Sequence, residues 1–417
     1  MSELYPTPQE TEQPLSASLD YYKLTMGDVI YEQHPDAEVT FTLKNRNHIQ
    51  PLSEYISVSE LQAHLDAIRS AGFSGEEIAY FAGLKAQNGE ARFTPEYLDH
   101  LASVELPLVN IATDSKSDDL AVDTTGSWTD VSLWEAVVMS EVNELYYRNL
   151  MESRGLSIDD LYAEGDRRLD EKITKLQTRP DITFADFGTR RRFSLDWHEH
   201  VIACLKNEMP DQFVGTSNPW FAYKYDLAPI GTFAHEMPMG WAAIAKAEGR
   251  NPMDGHGEML RDWSGRYQGD LSIALSDTFT SDFFFADFDA QQTAEWNGLR
   301  HDSGDPFEFA EKAIAHYEKY DINPITKTIV FSDGLDVDTI IVLHDYCKRR
   351  ISTMFGWGTN LMNDLGLPAN NFVMKATVVN GEPTVKLSDN AAKHTGPAKL
   401  VEYYTVQANE RAYAAAI

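Results

Sequence analysis

The residues of this chain that can do polar chemistry gather at the ends of short apolar runs. Phe184–Gly188 leads into Thr189-Arg190-Arg191-Arg192. Three adjacent guanidiniums are costly to desolvate as core, so this tip reads as pointing into a cleft toward an anionic ligand. Gly231-Thr-Phe-Ala-His235-Glu236 sets a histidine beside a carboxylate at another tip. That imidazole could serve as a general base, or as a nucleophile accepting a phosphoryl group. Ser276-Asp277-Thr278 and Arg300-His301-Asp302-Ser303-Gly304-Asp305-Pro306 add an arginine and three aspartates. Carboxylates this dense repel one another unless they meet Mg²⁺, ribose hydroxyls or a developing cation. Asp305, directly before Pro306, reads more simply as a helix cap. Phe331-Ser332-Asp333-Gly334 and Phe355-Gly356-Trp357-Gly358-Thr359-Asn360 carry glycines that let backbone N–H groups approach a phosphate.

Such tips need a scaffold that converges them. FVGTSN (213–218), PIGTFAHE (229–236), IALSDTF (273–279), TIVFSDGLD (328–336) and TMFGWGTN (353–360) repeat one layout, an apolar run followed by a polar tip. Helix-length segments lie between them, among them one from Pro306 with Phe307, Ala310, Ile314 and Tyr317 on a single face, and another over Asp336–Arg349. Strands alternating with helices predict a parallel sheet, and this many units between Asp181 and about Asn360 suits a closed α/β barrel with its active groups at the strands' carboxyl ends.

The amino-terminal part has a different pattern. Leu19, Tyr22, Met26 and Ile30 share a helical face, Val39, Phe41 and Leu43 alternate as in a strand, and 54–103 reads as charged helical pieces. Ser132-Leu-Trp-Glu135 has the form of a capping box ahead of a long helix to about Ser153. Near the other end, Asn380-Gly381 signals a hairpin turn. The expected division is a disordered lead at 1–18, an amino-terminal α+β domain at 19–150, a β/α barrel catalytic domain at 151–365, and a carboxyl-terminal segment at 366–417 packing back on the amino-terminal domain.

Composition sets bounds. A chain of 417 residues exceeds what one hydrophobic core usually serves. A net charge of −30 argues against nucleic acid or an anionic membrane as partner, since both require basic surface. Two cysteines, Cys204 and Cys347, are too few for a disulfide framework or a thiolate metal site. No run reaches the ~18–20 apolar residues of a membrane span, and the polar first 18 residues lack a signal-peptide pattern. A cytoplasmic location is expected.

Taken in order, FADFGTRRRFS, FVGTSN, GTFAHE, LSDTFTSD, GLRHDSGDP, VFSDGLD and FGWGTN, with DYYKLTM near the amino terminus, resemble the motifs of the nicotinate phosphoribosyltransferase family, type II phosphoribosyltransferases of NAD salvage. The likeness spans about residues 19 to 390. It implies an irregular β/α barrel with an additional α+β domain. The reaction it implies joins nicotinate to 5-phosphoribosyl 1-diphosphate, giving nicotinate mononucleotide and diphosphate, with ATP hydrolysis driving it. Mg²⁺ is the implied cofactor, and a homodimer with shared active sites the implied assembly.

Position by position, the resemblance makes His235 the residue that ATP phosphorylates, with Glu236 orienting its ring. Arg190 would meet the diphosphate or the phosphohistidine, and Asp277 and Asp302 would hold the ribose or the metal. Tyr22 and Phe187 would stack on the pyridine ring, Tyr22 reaching from a second subunit. Arg300 would meet the nicotinate carboxylate or nearby anions. Ser217 stands where amide-using relatives carry an aspartate, and a neutral hydroxyl there favours the acid. Asp333, Gly334, Gly358 and Thr359 would line the ribose-phosphate pocket, and Lys386 and Lys393 of KLSDNAAK would touch phosphate. Trp357 departs from the smaller apolar residue common at that place.

Three rival activities remain in view: a decarboxylating quinolinate enzyme, a nicotinamide-using relative, and a barrel hydrolase or aldolase built around a metal. The first needs no phosphorylated histidine, which the GTFAHE tip supplies. Ser217 discriminates against the second. The third calls for histidine metal pairs or a Schiff-base lysine at a tip, and His198 and His200 lack the i, i+4 spacing of a zinc pair.

Overall fold

The computed structural model describes residues 13–46 and 51–416. Its fold is α/β, and the chain divides into two compact units. The first comprises the chain up to Lys175 with Asp186–Ile230 and Gly358–Lys375; the second comprises Leu176–Ala185, Gly231–Trp357 and the chain from Ala376 onward. These limits differ from the expected ones. Much of the stretch expected as barrel lies in the first unit, and most of the carboxyl-terminal segment belongs to the second.

In the first unit the helix Tyr21–Gln33 is buried on every side from Tyr21 to Ile30, not along one stripe. The strand Glu38–Asn45 buries Val39, Phe41 and Leu43, as their alternation predicts. It pairs antiparallel with Leu120–Ser127, Phe41 facing Thr124, and that strand pairs in turn with Val109–Thr113. The long helix runs Trp134–Arg154 and stops at Gly155, whose φ of 60° provides a left-handed cap. Its expected capping box is absent. Leu133 holds the cap position, because Ser132 and Glu135 are engaged by Lys23 instead. A charge-assisted bond outweighs the roughly 1 kcal/mol of a neutral cap.

Residues 1–12 of the expected lead lie outside the described residues, but its end is ordered. Leu15–Ser18 forms a buried 3₁₀ turn. Arg192 helps to hold it, donating to the Ala17 carbonyl at 2.5 Å and to the Ser18 hydroxyl at 2.9 Å. The Arg192 side chain is 0% exposed, with Glu141 at 4.0 Å and Glu144 at 3.9 Å. This corrects the expectation that all three arginines of the tip enter a cleft: the cost of burying Arg192 is offset by two carboxylates and a carbonyl.

In the second unit four parallel strands pair in sequence order: Ile273–Leu275, Gly298–His301, Thr328–Phe331 and Ser352–Trp357. Leu275, Arg300, Val330 and Met354 lie in one register row. Gly298 is required by close packing, since a Cβ there would stand 2.1 Å from the Thr328 carbonyl oxygen. Asp305 caps the helix Pro306–Lys319 as expected, accepting from the Phe307 and Glu308 N–H groups. That helix buries Phe309, Ala310, Ala313, Ile314 and Tyr317; Phe307 turns away to meet Tyr346. The hairpin turns through Asn380 (φ 50°) and Gly381 (φ 80°), setting Val379 opposite Glu382. Beyond it the helix Ala398–Ala416 places Tyr404 and Ala408 in a core with Phe279, Phe283, Val385 and Leu387. That apolar face is why the carboxyl-terminal segment folds with the second unit. Among the described residues no helix is long and apolar enough to cross a membrane.

Replacing Arg192 by alanine removes the cation facing Glu141 and Glu144 and leaves the Ala17 carbonyl with the Asn218 side-chain donor alone. We expect a loss of about 3 kcal/mol, read from the urea midpoint. An unchanged midpoint would show that the burial of Arg192 contributes nothing.

Candidate active site

In the second unit, residues following the strands converge on His235, which stands just before the helix Glu236–Ala247. Its Nδ1 lies 2.9 Å from the Thr278 hydroxyl. Its Nε2 lies 2.9 Å from Asp302 Oδ2, 3.7 Å from Asp277 Oδ1 and 2.8 Å from Lys386 Nζ. Among the described residues Thr278 meets Nδ1 and so helps to orient the ring, a part the resemblance gives to Glu236. Lys386 is delivered by the segment after the hairpin, where its N–H bonds the Thr395 carbonyl and the Leu387 N–H bonds the Thr278 carbonyl at 2.8 Å.

The two carboxylates are held differently. Asp277 is buried, and its Oδ2 accepts from Ser303 at 2.5 Å and Ser388 at 3.3 Å, while its Oδ1 has no hydrogen-bond partner among the described residues. Asp302 accepts from the Ser332 hydroxyl at 3.1 Å. Lys393 bridges two tips, reaching the Asp302 carbonyl at 3.0 Å and Asp333 Oδ1 at 2.8 Å. Arg300 donates to the Phe233 carbonyl at 2.8 Å. Gly334 follows Asp333 with φ 61°, a left-handed conformation that glycine adopts freely.

Burial first, and then the Lys386 ammonium, push the His235 ring down to about 4, so it is neutral near pH 7. Burial opposes ionisation of Asp277, but the His235 ring and Lys386 more than offset it and the carboxyl stays below its ordinary range. Asp302 is likewise held well below that range: burial works against it, and the His235 hydrogen bond and the Arg300 charge prevail. A single ring nitrogen cannot donate to Asp302 and accept from Lys386 at once. The 2.9 Å contact with Asp302, an acceptor, calls for a proton on Nε2, and the 2.8 Å contact with Lys386, a donor, calls for a lone pair there, so each tautomer of the ring satisfies one of the two. The tautomer with its proton on Nδ1, facing Thr278, is the nucleophilic form at Nε2.

The first unit holds a second charged cluster. Arg190 Nε lies 2.8 Å from Asp20 Oδ2, its Nη1 2.9 Å from Glu135 Oε1, and its guanidinium 5.2 Å from the centroid of the Tyr22 ring of the same chain. Lys23 completes the cluster, 2.5 Å from Glu135 Oε2. Ser217 donates to Asp20 Oδ1 at 2.7 Å, so its hydroxyl is already committed to a carboxylate. Burial raises Asp20, against the Arg190 charge. Glu135 stays low because Lys23 and Arg190 outweigh its burial. The tip itself is pinned by buried Asp186, which accepts from the Gly188 N–H and the Thr216 hydroxyl and bonds His198 at 2.7 Å. Phe187 and Gly358 pack closely, a Cβ on Gly358 standing 3.2 Å from the Phe187 carbonyl oxygen, and Thr359 opens the short helix that follows. Trp357, in the second unit, is a core residue packed edge-on against Phe184.

The sequence motifs single out His235, Asp277, Asp302, Arg300 and Asp333, which the second unit brings to neighbouring tips, and Tyr22, Arg190 and Ser217, which the first unit brings together. They do not single out Asp20, Lys23, Glu135 or Thr278. Glu135 had a signal, but its position beside a helix start suggested a cap. A hydrolase-like grouping of Cys204, His200 and Asp166 lies at the surface, yet both partners share His200 Nε2 and burial pushes the thiol up, so no thiolate nucleophile is prepared there.

An α/β fold that sets an imidazole, a buried ammonium and paired carboxylates near the carboxyl ends of parallel strands is consistent with the type II phosphoribosyltransferase class that the sequence motifs resemble. The model of the nicotinate phosphoribosyltransferase family matches residues 182–411, and that of the family's amino-terminal domain matches residues 18–143. The chain belongs to the nicotinate phosphoribosyltransferase family. It is 38% identical over 384 residues to the nicotinate phosphoribosyltransferase of Chromobacterium violaceum, covering 90% of this chain and 91% of that one. The Xanthomonas euvesicatoria protein of the same name is 36% identical over 378 residues, covering 90% and 92%. Among solved structures, nicotinate phosphoribosyltransferase from Porphyromonas gingivalis superposes with a TM-score of 0.85 at 29% identity, covering 95% of this chain and 100% of that one. The Vibrio cholerae enzyme gives 0.83 at 30%, covering 95% and 93%.

Because folding keeps the His235 ring neutral, the fold gives up stability at this group as pH falls from the ordinary histidine value of about 6.5 toward about 4. In an NMR titration the His235 ring proton should hold its neutral shift from pH 8 to 5.5. A midpoint near 6.5 would contradict the electrostatic description.

Proposed function

We infer that the protein joins nicotinate to 5-phosphoribosyl 1-diphosphate, forming nicotinate mononucleotide and diphosphate, and we propose that ATP drives the reaction through a phosphorylated His235. The observation that carries this reading is the His235 imidazole, kept neutral by burial and set among the Thr278 hydroxyl, two carboxylates and the Lys386 ammonium. An imidazole so prepared is a nucleophile for phosphorus. Once phosphorylated it would position the diphosphate end of the sugar substrate, a contribution of geometry and electrostatics and not of attack on carbon.

Asp277 and Asp302, held ionised, suit ribose hydroxyls and the cation that develops at the anomeric carbon as diphosphate departs. Mg²⁺ fits the same carboxylates: His235, Asp277 and Asp302 each offer an atom within 4.8 Å of the others, and buried Asp277 Oδ1 lacks a partner. Hard oxygen donors are its preferred ligands, and it would supply charge neutralisation to the diphosphate. Lys393 and Asp333, with Gly334, are assigned to the ribose phosphate. Tyr22 and Phe187 are assigned to the pyridine ring, Arg190 to the diphosphate, and Arg300 to the carboxylate or a neighbouring anion. Ser217 acts through Asp20, since its hydroxyl is spent there. A homodimer acting in the cytoplasm completes the proposal.

The test is nicotinate mononucleotide formation from nicotinate, phosphoribosyl diphosphate and Mg²⁺, with and without ATP. Wild type should be faster with ATP, and His235→Ala should lose that gain. Folded protein that makes no product from nicotinate would overturn the assignment, with nicotinamide and then quinolinate next to be tried.

A further inference from the structure

At Ser388 the backbone has a φ of 63°, in the left-handed region where glycine is at ease and serine is not. The residue is buried, and strain of this kind persists where surrounding interactions impose it. Those interactions end on Asp277. The Ser388 hydroxyl stands 2.7 Å from the Ser303 hydroxyl, which donates to Asp277 Oδ2 at 2.5 Å. The Asp389 N–H, next along the left-handed turn, donates to the Ser303 oxygen at 3.1 Å. A hydroxyl has one proton and two lone pairs. With the Ser388 proton and the Asp389 N–H filling both lone pairs, the one proton of Ser303 is committed to Asp277. The direct approach of Ser388 to Asp277 is longer, 3.3 Å, so the shorter path runs through Ser303. The turn is held from its other side as well: the Asp389 carboxylate accepts from the Ser281 N–H at 2.7 Å and the Ser281 hydroxyl at 2.5 Å. Gly304 leaves room for it, since a Cβ there would stand 3.0 Å from the Asp389 Cβ.

We propose that Ser388 and Ser303 are positioning residues, a relay of two hydroxyls that fixes the Asp277 carboxylate by its Oδ2 and leaves Oδ1, 3.7 Å from His235 Nε2, open to substrate. The role rests on the proposed placing of Asp277 at the ribosyl centre, and both serines act through that carboxylate. Hydrogen bonds in series polarise one another, so the Ser388 donor strengthens the Ser303 donor. The charge of Asp277 and its direction are thereby set before a cation develops at the anomeric carbon, and no reorganisation is left for the moment of reaction. The left-handed turn is the condition for this arrangement: it aims the Ser388 hydroxyl and the following N–H at one oxygen atom.

The test compares full-length wild type with Ser388→Gly, Ser388→Ala, Ser303→Ala and the double variant Ser303→Ala/Ser388→Gly, each checked for folding by circular dichroism. Glycine relieves the backbone and alanine does not, so Ser388→Gly should melt at a higher temperature than Ser388→Ala. In nicotinate mononucleotide formation both should lose roughly tenfold in kcat, the worth of one hydrogen bond in a chain that ends on a charge. The KM for nicotinate should stay within about twofold of wild type, since the loss falls on the transition state. In the Ser303→Ala background the glycine change should cost about twofold or less, because the link it acts through is gone. A folded Ser388→Gly with wild-type kcat overturns the proposal, since a residue needed only for its turn is improved by glycine. A Ser388→Gly that melts below Ser388→Ala overturns it too, as does a further loss of about tenfold in the double variant, which would make the two hydroxyls independent. If wild type makes no product from nicotinate, the functional reading fails, and a crystal structure of Ser388→Gly decides the relay by itself. An Asp277 carboxylate rotated from its wild-type position supports the relay, and one left in place overturns it.

Discussion

The second unit depends on one buried electrostatic arrangement: an ammonium and two carboxylates gathered around a single imidazole nitrogen. None of these groups would be stable alone at such a depth. Burial first, and then Lys386, keep the ring neutral; Lys386 also contributes, after other groups, to holding both carboxylates ionised, and the carboxylates in turn offset part of the cost of burying it. Ser303 and Ser388 donate to Asp277 Oδ2, and Ser332 donates to Asp302. The surrounding architecture can be understood as what fixes these atoms. The register row through Leu275 and Arg300 sets the strand ends, Asp305 starts a helix immediately after the Asp302 tip, and the core around Phe279 and Tyr404 anchors the segment that presents Lys386.

The first unit handles its cations by the same rule. Arg190 is braced by Asp20 and Glu135, Lys23 by Glu135, and Arg192 by Glu141 and Glu144. The three arginines of one short tip therefore part company. Arg192 is structural, Arg191 is pushed down to about 10 by burial and by the neighbouring Arg190 charge, and Arg190 stays partly exposed against Tyr22. In a chain of net charge −30 an anionic substrate is drawn by such local, preorganised cations, since the overall field repels it.

Much of this could be read in the sequence because the signals are local. Alternating Val39, Phe41 and Leu43, the Asn380-Gly381 turn and the Asp305-Pro306 helix start each state their own conformation within a few residues. His235, Asp277 and Asp302 were legible because each stands at the polar end of a short apolar run, and in an α/β fold such ends gather at the mouth of the sheet. Partnerships were another matter. Lys386 lies 151 positions from His235, and no local pattern says that the two meet. Glu135 carried a plausible cap signature that charge pairing with Lys23 and Arg190 overrode. The Arg192 burial was hidden because its carboxylates lie on the helix Trp134–Arg154, some 50 residues earlier in the chain.

The central claim is that Nε2 of His235 is the atom that accepts phosphate, and the most direct measurement is the regiochemistry of the adduct. ³¹P NMR of the protein after ATP treatment, compared with authentic standards of both phosphohistidine isomers, should show one signal of the Nε2-linked form. That signal should collapse when nicotinate and phosphoribosyl diphosphate are added. A signal from the Nδ1-linked isomer, or ATP-stimulated product formation with no phosphohistidine at all, would contradict the account.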